Sequence, residues 1–271
     1  LASTGNGIDC GDLTATASQG GGCGDVVRGL CMSGERAGSG SANIDVVHFA
    51  SKGNTSNFGS SSVARRRGAG LSNNTRGVLA GGHTPTKSNV IDFVTIATAG
   101  DASDFGDLAA ATTQAGGIAS PTRGVTGGGS TGSDINVIQY ITIASTGDAA
   151  DFGDLTAARS NIASSGSITR GLFAGAYPVG NIIDFITIAS TGDASDFGDL
   201  TVSRGGGCNG GALSNKVRGL FAGGYAYPAD PANSNVIDFV TIASTGNATD
   251  SGDLTAVKQN LTTASNGHGG L

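Results

Sequence analysis

The sequence predicts an all-β fold built from internal repeats, and three observations indicate it. Glycine accounts for 48 of the 271 residues, whereas the chain has 5 prolines and no tryptophan. The hydrophobic residues, 38% of the chain, fall in short runs rich in Ile, Val, Phe and Thr without a helical period. Every acidic residue except Glu35 is an aspartate, which suits turns better than helices. Many short strands joined by tight turns are therefore expected.

Three sequence elements recur along the chain at intervals of about 47 residues. The first runs from Ile143 to Leu155 and reads IASTGDAADFGDL; its copies and weaker variants give repeats that start near residues 1, 49, 96, 143, 188 and 242. The second, RGLFAGG, begins at Arg170 and Arg218, with degraded copies at Arg28, Arg76 and Arg123. The third, VIDFVTI, begins at Val90 and Val236.

One repeat unit, residues 162–202, predicts four short antiparallel strands, at 162–168, 169–175, 182–189 and 197–202. Four such strands per repeat are typical of a β-propeller blade. We expect a single β-propeller domain over residues 1–271, with six four-stranded blades: five complete and one composite. The composite blade would pair a strand at 9–14 with one near 259–267 and so protect the sheet edges. The alternative is a five-bladed ring bridged by a short composite sheet.

The sequence pattern of the repeat unit resembles the kelch repeat over nearly the whole chain. A hydrophobic strand ends in a diglycine, a strand reading VIDF follows a loop, and an arginine closes the unit at Arg65, Arg159 and Arg204. The diglycines are Gly81-Gly82, Gly127-Gly128 and Gly223-Gly224. The kelch tryptophan is missing, and its place is taken by Phe58, Phe105, Phe152, Phe197, Cys10 and Ser251. The resemblance implies a divergent, kelch-like β-propeller.

The repeat also resembles proteins encoded by marine tailed bacteriophages, notably those of cyanobacteria. The similarity lies in RGLFAGG, in NVIDFVTIASTGDASDFGDLT and in the ending SNGHGGL. It implies a structural component of a virion appendage, a tail fibre or a decoration, on the surface of the phage particle. The implied partners are other virion proteins and host-surface glycan.

Charged residues at fixed repeat positions are candidates for contacts between blades. The arginines are Arg28, Arg76, Arg123, Arg170 and Arg218, and the aspartates that precede them are Asp12, Asp107, Asp154 and Asp199. Ser60 replaces the aspartate in one repeat. We expect either an Arg–Asp pair or an Arg–carbonyl clamp that locks each blade to the next, since a guanidinium offers five donors in a plane. A ring of charged ligand contacts is the other interpretation.

The loops between the second and third strands differ most among the repeats, whereas the Thr-Gly-Asp hairpin stays nearly constant. Uniformity on one face indicates a scaffold, and variation on the other indicates either neutral drift or recognition by the variable loops. The candidate ligand-binding residues in these loops are Tyr177, Tyr225, Tyr227, His83 and Lys87. Tyrosines beside small polar residues suit sugars or protein surfaces. Equally, tyrosines beside proline can simply pack the loop.

Several other activities lack support in the sequence. The net charge of −6 gives no broad attraction to nucleic acid, and no apolar run reaches the length of a membrane span. The aspartates of the GDASDFGD segments do not have the spacing of a calcium-binding loop, and Asx turns explain them without metal. We therefore expect no metal and no cofactor. The cysteines Cys10, Cys23, Cys31 and Cys208 have no metal-ligand spacing and suit small buried thiols. The basic run Arg65-Arg66-Arg67 suits a solvated loop.

The expected function is therefore non-enzymatic display of binding loops on a virion. A secreted bacterial lectin or adhesin with the same architecture is the alternative. An enzyme is a third class, but no nucleophile–base or carboxylate pair is placed by a motif, so no catalytic residue is predicted.

Overall fold

The computed structural model describes residues 6, 10–51, 53–176, 180–204, 212–226 and 233–264. Within these ranges every regular element is a β-strand, and the strands form five separate antiparallel sheets. Each sheet holds strands that are consecutive in the sequence, as the blades of a propeller do. The protein is therefore an all-β β-propeller with five blades.

Each blade has an inner, a second, a third and an outer strand. Blade 1 contains β1 (Gly21–Gly24), β2 (Arg28–Met32), β4 (Ser39–His48) and β5 (Ser56–Arg65), with the short β3 (Glu35–Arg36) beside β4. Blade 2 contains β6 (Ala69–Ser72), β7 (Arg76–Thr84), β8 (Thr86–Thr95) and β9 (Ser103–Asp107). Blade 3 contains β10 (Gly116–Ala119), β11 (Arg123–Gly127), β12 (Val137–Thr142) and β13 (Ala150–Asp154).

Blades 4 and 5 repeat this order. Blade 4 contains β14 (Ala163–Gly166), β15 (Arg170–Ala176), β16 (Gly180–Thr187) and β17 (Ser195–Asp199). Blade 5 contains β18 (Ala212–Ser214), β19 (Arg218–Ala222), β20 (Val236–Thr241) and β21 (Thr249–Asp253). The four strands predicted within residues 162–202 are thus present. The five inner strands contact one another around the propeller axis.

The prediction of a sixth, composite blade is wrong, because the described strands form five blades. The described parts of the terminal stretches, near residues 10–16 and 259–264, form no strand of any sheet, so the bridging composite sheet is not observed either. The reason is that the chain has only five RGLFAGG-type elements, and each already supplies the second strand of its own blade. Residues 265–267 of the predicted C-terminal strand lie outside the described residues.

A β-bulge at the outer strand places the recurrent phenylalanine between blades. In blade 2, Ile91 pairs with Gly106 and Asp92 pairs with Asp104, so Phe105 is the extra residue. Phe105 is 2% exposed and belongs to the same buried cluster as Ile141 of blade 3. Bulges at the same position hold Phe58, Phe152 and Phe197. The phenylalanine that replaces the expected tryptophan therefore fills the interface between neighbouring blades.

The diglycine motif also has a physical cause. The first glycine of the pair after the second strand is in the left-handed region, with φ of 63° at Gly81 and 65° at Gly223. A Cβ at Gly81 would lie 2.4 Å from the carbonyl oxygen of Thr112, on the connector that leaves the outer strand. Only glycine satisfies both the conformation and the close approach of the two backbones.

Candidate functional site

The two faces of the propeller carry different connections. The connector from each outer strand to the next inner strand pairs with the start of a second-to-third-strand loop, as in the bridges Arg66–His83 and Thr113–Ser130. These connectors and loops therefore share one side, which we call the loop face. The opposite side, the turn face, carries the inner-to-second turns and the Thr-Gly-Asp turns. The antiparallel strands of each blade require this separation.

Five connector residues on the loop face share an uncommon backbone conformation, and we call them the axial ring. All have positive φ although none is glycine: Gln19 (59°), Arg67 (60°), Gln114 (64°), Asn161 (55°) and Asn260 (56°). The left-handed conformation costs roughly 1–2 kcal/mol for a residue with a Cβ. Such conformations persist only where the surrounding structure imposes them, and they are enriched at functional sites.

Hydrogen bonds join the axial ring residue to residue. The backbone N–H of Gln19 donates to the carbonyl of Asn260 (3.2 Å), Arg67 to Gln19 (2.7 Å), Gln114 to Arg67 (2.9 Å) and Asn161 to Gln114 (3.0 Å). The side chains add further bonds: Nε2 of Gln114 donates to Oδ1 of Asn161 (2.7 Å), and Nε of Arg67 donates to Oε1 of Gln19 (2.8 Å). The connectors are therefore held in a fixed arc around the axis.

Two of the axial-ring side chains, those of Gln19 and Asn161, are buried, and those of Arg67, Gln114 and Asn260 are half-buried. Amide and guanidinium groups supply both donors and acceptors in fixed geometry. On the loop-face side of the axis, the cavity between the inner strands has a volume of about 60 Å³ and is lined largely by Gly and Ala, among them Gly20, Gly68, Ala115 and Gly116. That volume suits a few water molecules and not a sugar ring. A larger ligand would therefore lie across the mouth.

The predicted ligand residues lie in or beside the loop face where the structure describes them. His83 and Lys87 are half-buried and directly opposite each other in the β7–β8 hairpin. Tyr225 is half-buried and pairs in a bridge with Asn233. Tyr177 and Tyr227 lie outside the described residues. The structure thus brings His83 and Lys87 together.

The basic run is not a solvated loop. Arg65 is completely buried, Arg66 forms an ion pair with Glu35, and Arg67 belongs to the axial ring. Desolvation lowers the pKa of His83, and the neighbouring positive charges of Arg66, Arg67 and Lys87 lower it further. This edge of the loop face is therefore positively charged within an acidic protein.

The five recurrent arginines act from the turn face. Nη1 of Arg28 donates to the carbonyl of Ile96 in the next unit at 2.7 Å, and Arg76, Arg123 and Arg170 reach Ile143, Ile188 and Ile242 in the same way, at 2.7, 3.0 and 2.9 Å. Four of the guanidinium groups also stack on an aromatic ring of the third strand, at Phe93, Tyr140, Phe185 and Phe239. The geometry is an Arg–carbonyl clamp between blades.

The aspartates expected beside these arginines bond elsewhere. Among the described residues, none of the five arginines forms an ion pair with Asp12, Asp107, Asp154 or Asp199, so the Arg–Asp pairing is wrong. Instead, the backbone N–H of Asp107 donates to the Asp148 carboxylate of the next unit at 3.0 Å. The same contact joins Asp12 to Asn54, Asp154 to Asp193, and Asp199 to Asn247. These residues tie the outer edges of neighbouring units through their backbone.

Sequence reasoning missed the buried ion pairs between blades. The arginine that closes one unit meets the aspartate of the next third strand: Arg65–Asp92 (2.9 Å), Arg159–Asp184 (2.8 Å) and Arg204–Asp238 (2.5 Å). All six side chains are at most 3% exposed. Burial lowers the pKa of Arg65 and of Arg159, and the paired carboxylate offsets part of that effect. The sequence carries a signal of this pairing. At the interface between blades 2 and 3, Thr112 replaces the arginine and Gln139 replaces the aspartate, so the two positions change together.

The three cysteines that the structure describes differ in their exposure to solvent. Cys23 is buried and Cys31 is half-buried, but Cys10 is exposed, contrary to the expectation of buried thiols. Cys208 lies outside the described residues. In the ranges that the structure covers, no group of three or more His, Cys, Asp and Glu side chains could hold a metal ion. In the same ranges no helix is long and apolar enough to cross a membrane.

Comparison with known proteins gives no relative for this chain. None of the protein-family models matches the sequence, and no curated protein is significantly similar to it.

Proposed function

We propose that this chain is a non-enzymatic, kelch-like propeller of a phage virion appendage, a tail fibre or a decoration, whose loop face binds host-surface glycan. The observation that carries the proposal is the axial ring: a hydrogen-bonded arc of amide and guanidinium side chains on the face that also carries the variable loops. Other virion proteins are the second class of partner on the same face.

The chemistry of the loop face matches a sugar ligand. Hydroxyl groups of a sugar both donate and accept hydrogen bonds, as does the half-buried amide of Gln114. Tyrosine supplies a flat apolar surface for the ring together with a polar tip. The positive edge formed by Arg67 and Lys87 would favour sugars that carry carboxylate or sulfate groups.

The rigidity of the scaffold supports display rather than catalysis. Four clamps at the turn face join blades 1 to 5 in sequence, and three of the interfaces contain a buried ion pair. A ligand then binds to a surface that is already ordered, so little conformational entropy is lost on binding. Many copies on one particle would convert weak binding at each loop face into strong attachment.

A glycan array and a whole-cell binding assay test the proposal. Gln114→Gly removes a ring side chain while glycine tolerates the left-handed backbone, so the fold is preserved. The second variant replaces Tyr177, Tyr225 and Tyr227 by alanine. Both are expected to weaken binding by about tenfold. The control is Ile168→Ala, since Ile168 is 48% exposed in a turn of the turn face.

The outcome separates the two partner classes. Loss of glycan binding in the loop-face variants, with retention in Ile168→Ala, supports glycan recognition. Absence of glycan and cell binding by the intact, folded protein contradicts it and leaves the virion proteins as partners.

A secreted bacterial lectin or adhesin remains the second candidate, because the axial ring would serve it equally well. Immunogold labelling of purified phage particles distinguishes the two. Labelling at a regular position supports the virion assignment, whereas sugar binding without particle labelling supports the lectin.

A further inference from the structure

Four basic side chains lie together on the loop face where blades 1 and 2 meet, and we call them the cationic site. Arg66 and Arg67 are on the connector between β5 and β6, and His83 and Lys87 are in the β7–β8 hairpin. The backbone N–H of Arg66 donates to the carbonyl of His83 at 3.1 Å, and that of His83 donates to the carbonyl of Arg66 at 2.8 Å. His83 is also directly opposite Lys87. Directly opposite residues project from the same side of a ladder, so the side chains of Arg66, His83 and Lys87 form one row.

This row places basic groups side by side, and the protein offsets their charge only in part. Like charges directly opposite each other in a ladder are destabilising. Arg66 forms an ion pair with Glu35, and each of these side chains is 25% exposed. In the described part of the chain, no carboxylate forms an ion pair with Arg67, His83 or Lys87. The site therefore has a positive charge that an external anion can offset.

The guanidinium of Arg67 has donors that are available to such an anion. Its Nε donates to Oε1 of Gln19 at 2.8 Å, which fixes the plane of the group. Among the described residues, its Nη1 and Nη2 have no hydrogen-bond partner and are not fully buried. A guanidinium held in this way can bind a carboxylate or a similar oxyanion through two parallel hydrogen bonds.

The surroundings of the site favour a hydroxyl-rich anion over an acidic peptide. Thr84 and Thr86 supply hydroxyl groups at the end of the hairpin. Gln114 supplies an amide, and its backbone N–H donates to the carbonyl of Arg67 at 2.9 Å. None of the large apolar side chains that are exposed in the described structure lies at residues 66–68 or 81–88. Protein partners are held mainly by apolar and aromatic anchors, for which this surface offers no contact.

Building on the proposed glycan binding, we propose that the cationic site binds the carboxylate or sulfate groups of an acidic polysaccharide and that protonation of His83 strengthens this binding. The site thus rests on the proposed function and specifies the charge of the ligand. Protonation gives the imidazole a second N–H donor and a positive charge. Because the proton and the anion attract each other, each raises the affinity of the site for the other.

His83 changes its charge in an accessible pH range. Burial lowers the pKa of His83, and the positive charges of Arg66, Arg67 and Lys87 lower it further. Glu35 is the carboxylate beside this row, and it is already paired with Arg66. His83 is therefore neutral at pH 7.5 and gains its proton below the ordinary value of about 6.5. Binding of an anion should strengthen as the pH falls through that range.

Dextran sulfate, carboxymethyl dextran and neutral dextran are the probes, because they share one polymer. Titration calorimetry of the full chain measures their affinities at pH 7.5 and pH 5.5. The charged polymers are expected to bind about tenfold more tightly than neutral dextran, and about threefold more tightly at the lower pH than at the higher. Binding of either charged polymer supports the site, and the tighter one identifies the anionic group.

Replacement of the histidine tests the pH response. His83→Gln should abolish the increase at low pH and leave the affinity at pH 7.5 within about twofold of the unaltered chain. The matched control is His48→Gln. His48 is exposed and lies opposite Arg28 at the turn-face end of β4, so this variant should retain the increase.

Charge removal supplies an independent arm. Lys87→Gln and Arg67→Asn should each weaken binding of the charged polymers by about threefold to tenfold. Asparagine tolerates the left-handed backbone at this position, as Asn161 does in the axial ring. The matched control Lys216→Gln removes an exposed charge from the turn face and should change the affinity by less than about twofold.

Charge-selective binding with this pattern supports the proposal. Three results from variants shown to be folded by circular dichroism would overturn it: equal binding of charged and neutral dextran, an unchanged pH response in His83→Gln, or tighter binding of poly-glutamate than of either charged polymer. Array binding of neutral sugars alone, lost in Gln114→Gly, would overturn the charged site and leave the proposed function standing. Binding of charged dextran without any array or cell binding would overturn host-glycan binding and leave the anion site.

Discussion

The interface between blades 3 and 4 and the interface between blades 2 and 3 solve the same packing problem with different chemistry. In the former, Arg159 meets Asp184 at 2.8 Å, and both side chains are buried. In the latter, Thr112 and Gln139 stand at the two positions, and both are also buried. Oε1 of Gln139 accepts the N–H of Ala109 at 2.8 Å, much as the Asp184 carboxylate accepts that of Thr156 at 3.1 Å.

The comparison shows what each partner contributes. The acceptor on the third strand is needed in both interfaces because it satisfies the backbone of the preceding outer strand. The charge is needed in neither, since the neutral pair builds the same interface. Moreover, Nε and Nη1 of Arg159 are buried without a hydrogen-bond partner in the described structure, so the charged network is incompletely satisfied. A buried pair of this kind is weak evidence for net stabilisation.

The largest effect is expected from breaking the charged pair on one side. Arg159→Thr leaves the Asp184 carboxylate buried opposite a neutral residue, and the free energy of unfolding should fall by about 3–5 kcal/mol. Urea denaturation followed by circular dichroism measures the loss. A loss below about 1 kcal/mol would show that Asp184 becomes protonated or hydrated at little cost.

Replacing both partners should restore most of that loss. The double variant Arg159→Thr with Asp184→Gln recreates the blade 2–3 interface within blades 3 and 4. We expect a stability within about 1 kcal/mol of the unaltered chain, because no uncompensated buried charge remains. Asp184→Gln alone completes the double-mutant cycle. Additive losses in the double variant would contradict the equivalence of the two interfaces.

Removal of the arginine clamps on the turn face tests whether the clamps stabilise the two interfaces equally. Arg76 crosses the neutral interface and stacks on Phe93, and Arg123 crosses the charged interface and stacks on Tyr140. Arg76→Ala and Arg123→Ala should each lower the free energy of unfolding by about 1–3 kcal/mol, and by similar amounts. A clearly larger loss for one of them would show that its clamp is coupled to the pair across the interface.

The smallest effect concerns pH at the interface between blades 1 and 2. The pKa of His83 is lowered in the folded protein, so the unfolded chain binds the proton more tightly and stability falls as the pH drops through about 6.5. His83→Gln should therefore reduce the loss of stability between pH 7 and pH 5.5, relative to the unaltered chain. Thermal melts at the two pH values measure it, and an unchanged difference would contradict the contribution of His83.

Much of this architecture could be predicted from the repeat. The period of the sequence and its β-branched runs predict the propeller, and the diglycines and the Phe-Gly pairs mark the close contacts of its backbone. The repeat identifies the recurrent arginines as inter-blade residues. It does not determine their hydrogen-bond acceptor, because a carboxylate and a carbonyl oxygen accept the same donor. Residue spacing does not show which acceptor lies within reach after folding.

The blade count and the axial ring could not be predicted from the sequence. Six copies of the FGDL element predict six blades, whereas the described residues contain five second strands. The sequence does not reveal the axial ring, because its members share a backbone conformation rather than a chemical type. They are Gln19, Arg67, Gln114, Asn161 and Asn260. The paired change to Thr112 and Gln139 is visible in the sequence, but its meaning depends on the contact between the equivalent residues Arg159 and Asp184.

The sequence by itself determined the local structure: four short strands per repeat, the turns between them, and the glycines where the backbone must take a positive φ. These features depend on neighbouring residues, whose preferences act within a few positions of the chain. The tertiary structure decided the contacts between repeats: the arginine clamps, the buried Arg–Asp pairs and the axial ring. Each of these joins residues from different units, and their distances are set by how the blades pack around the axis.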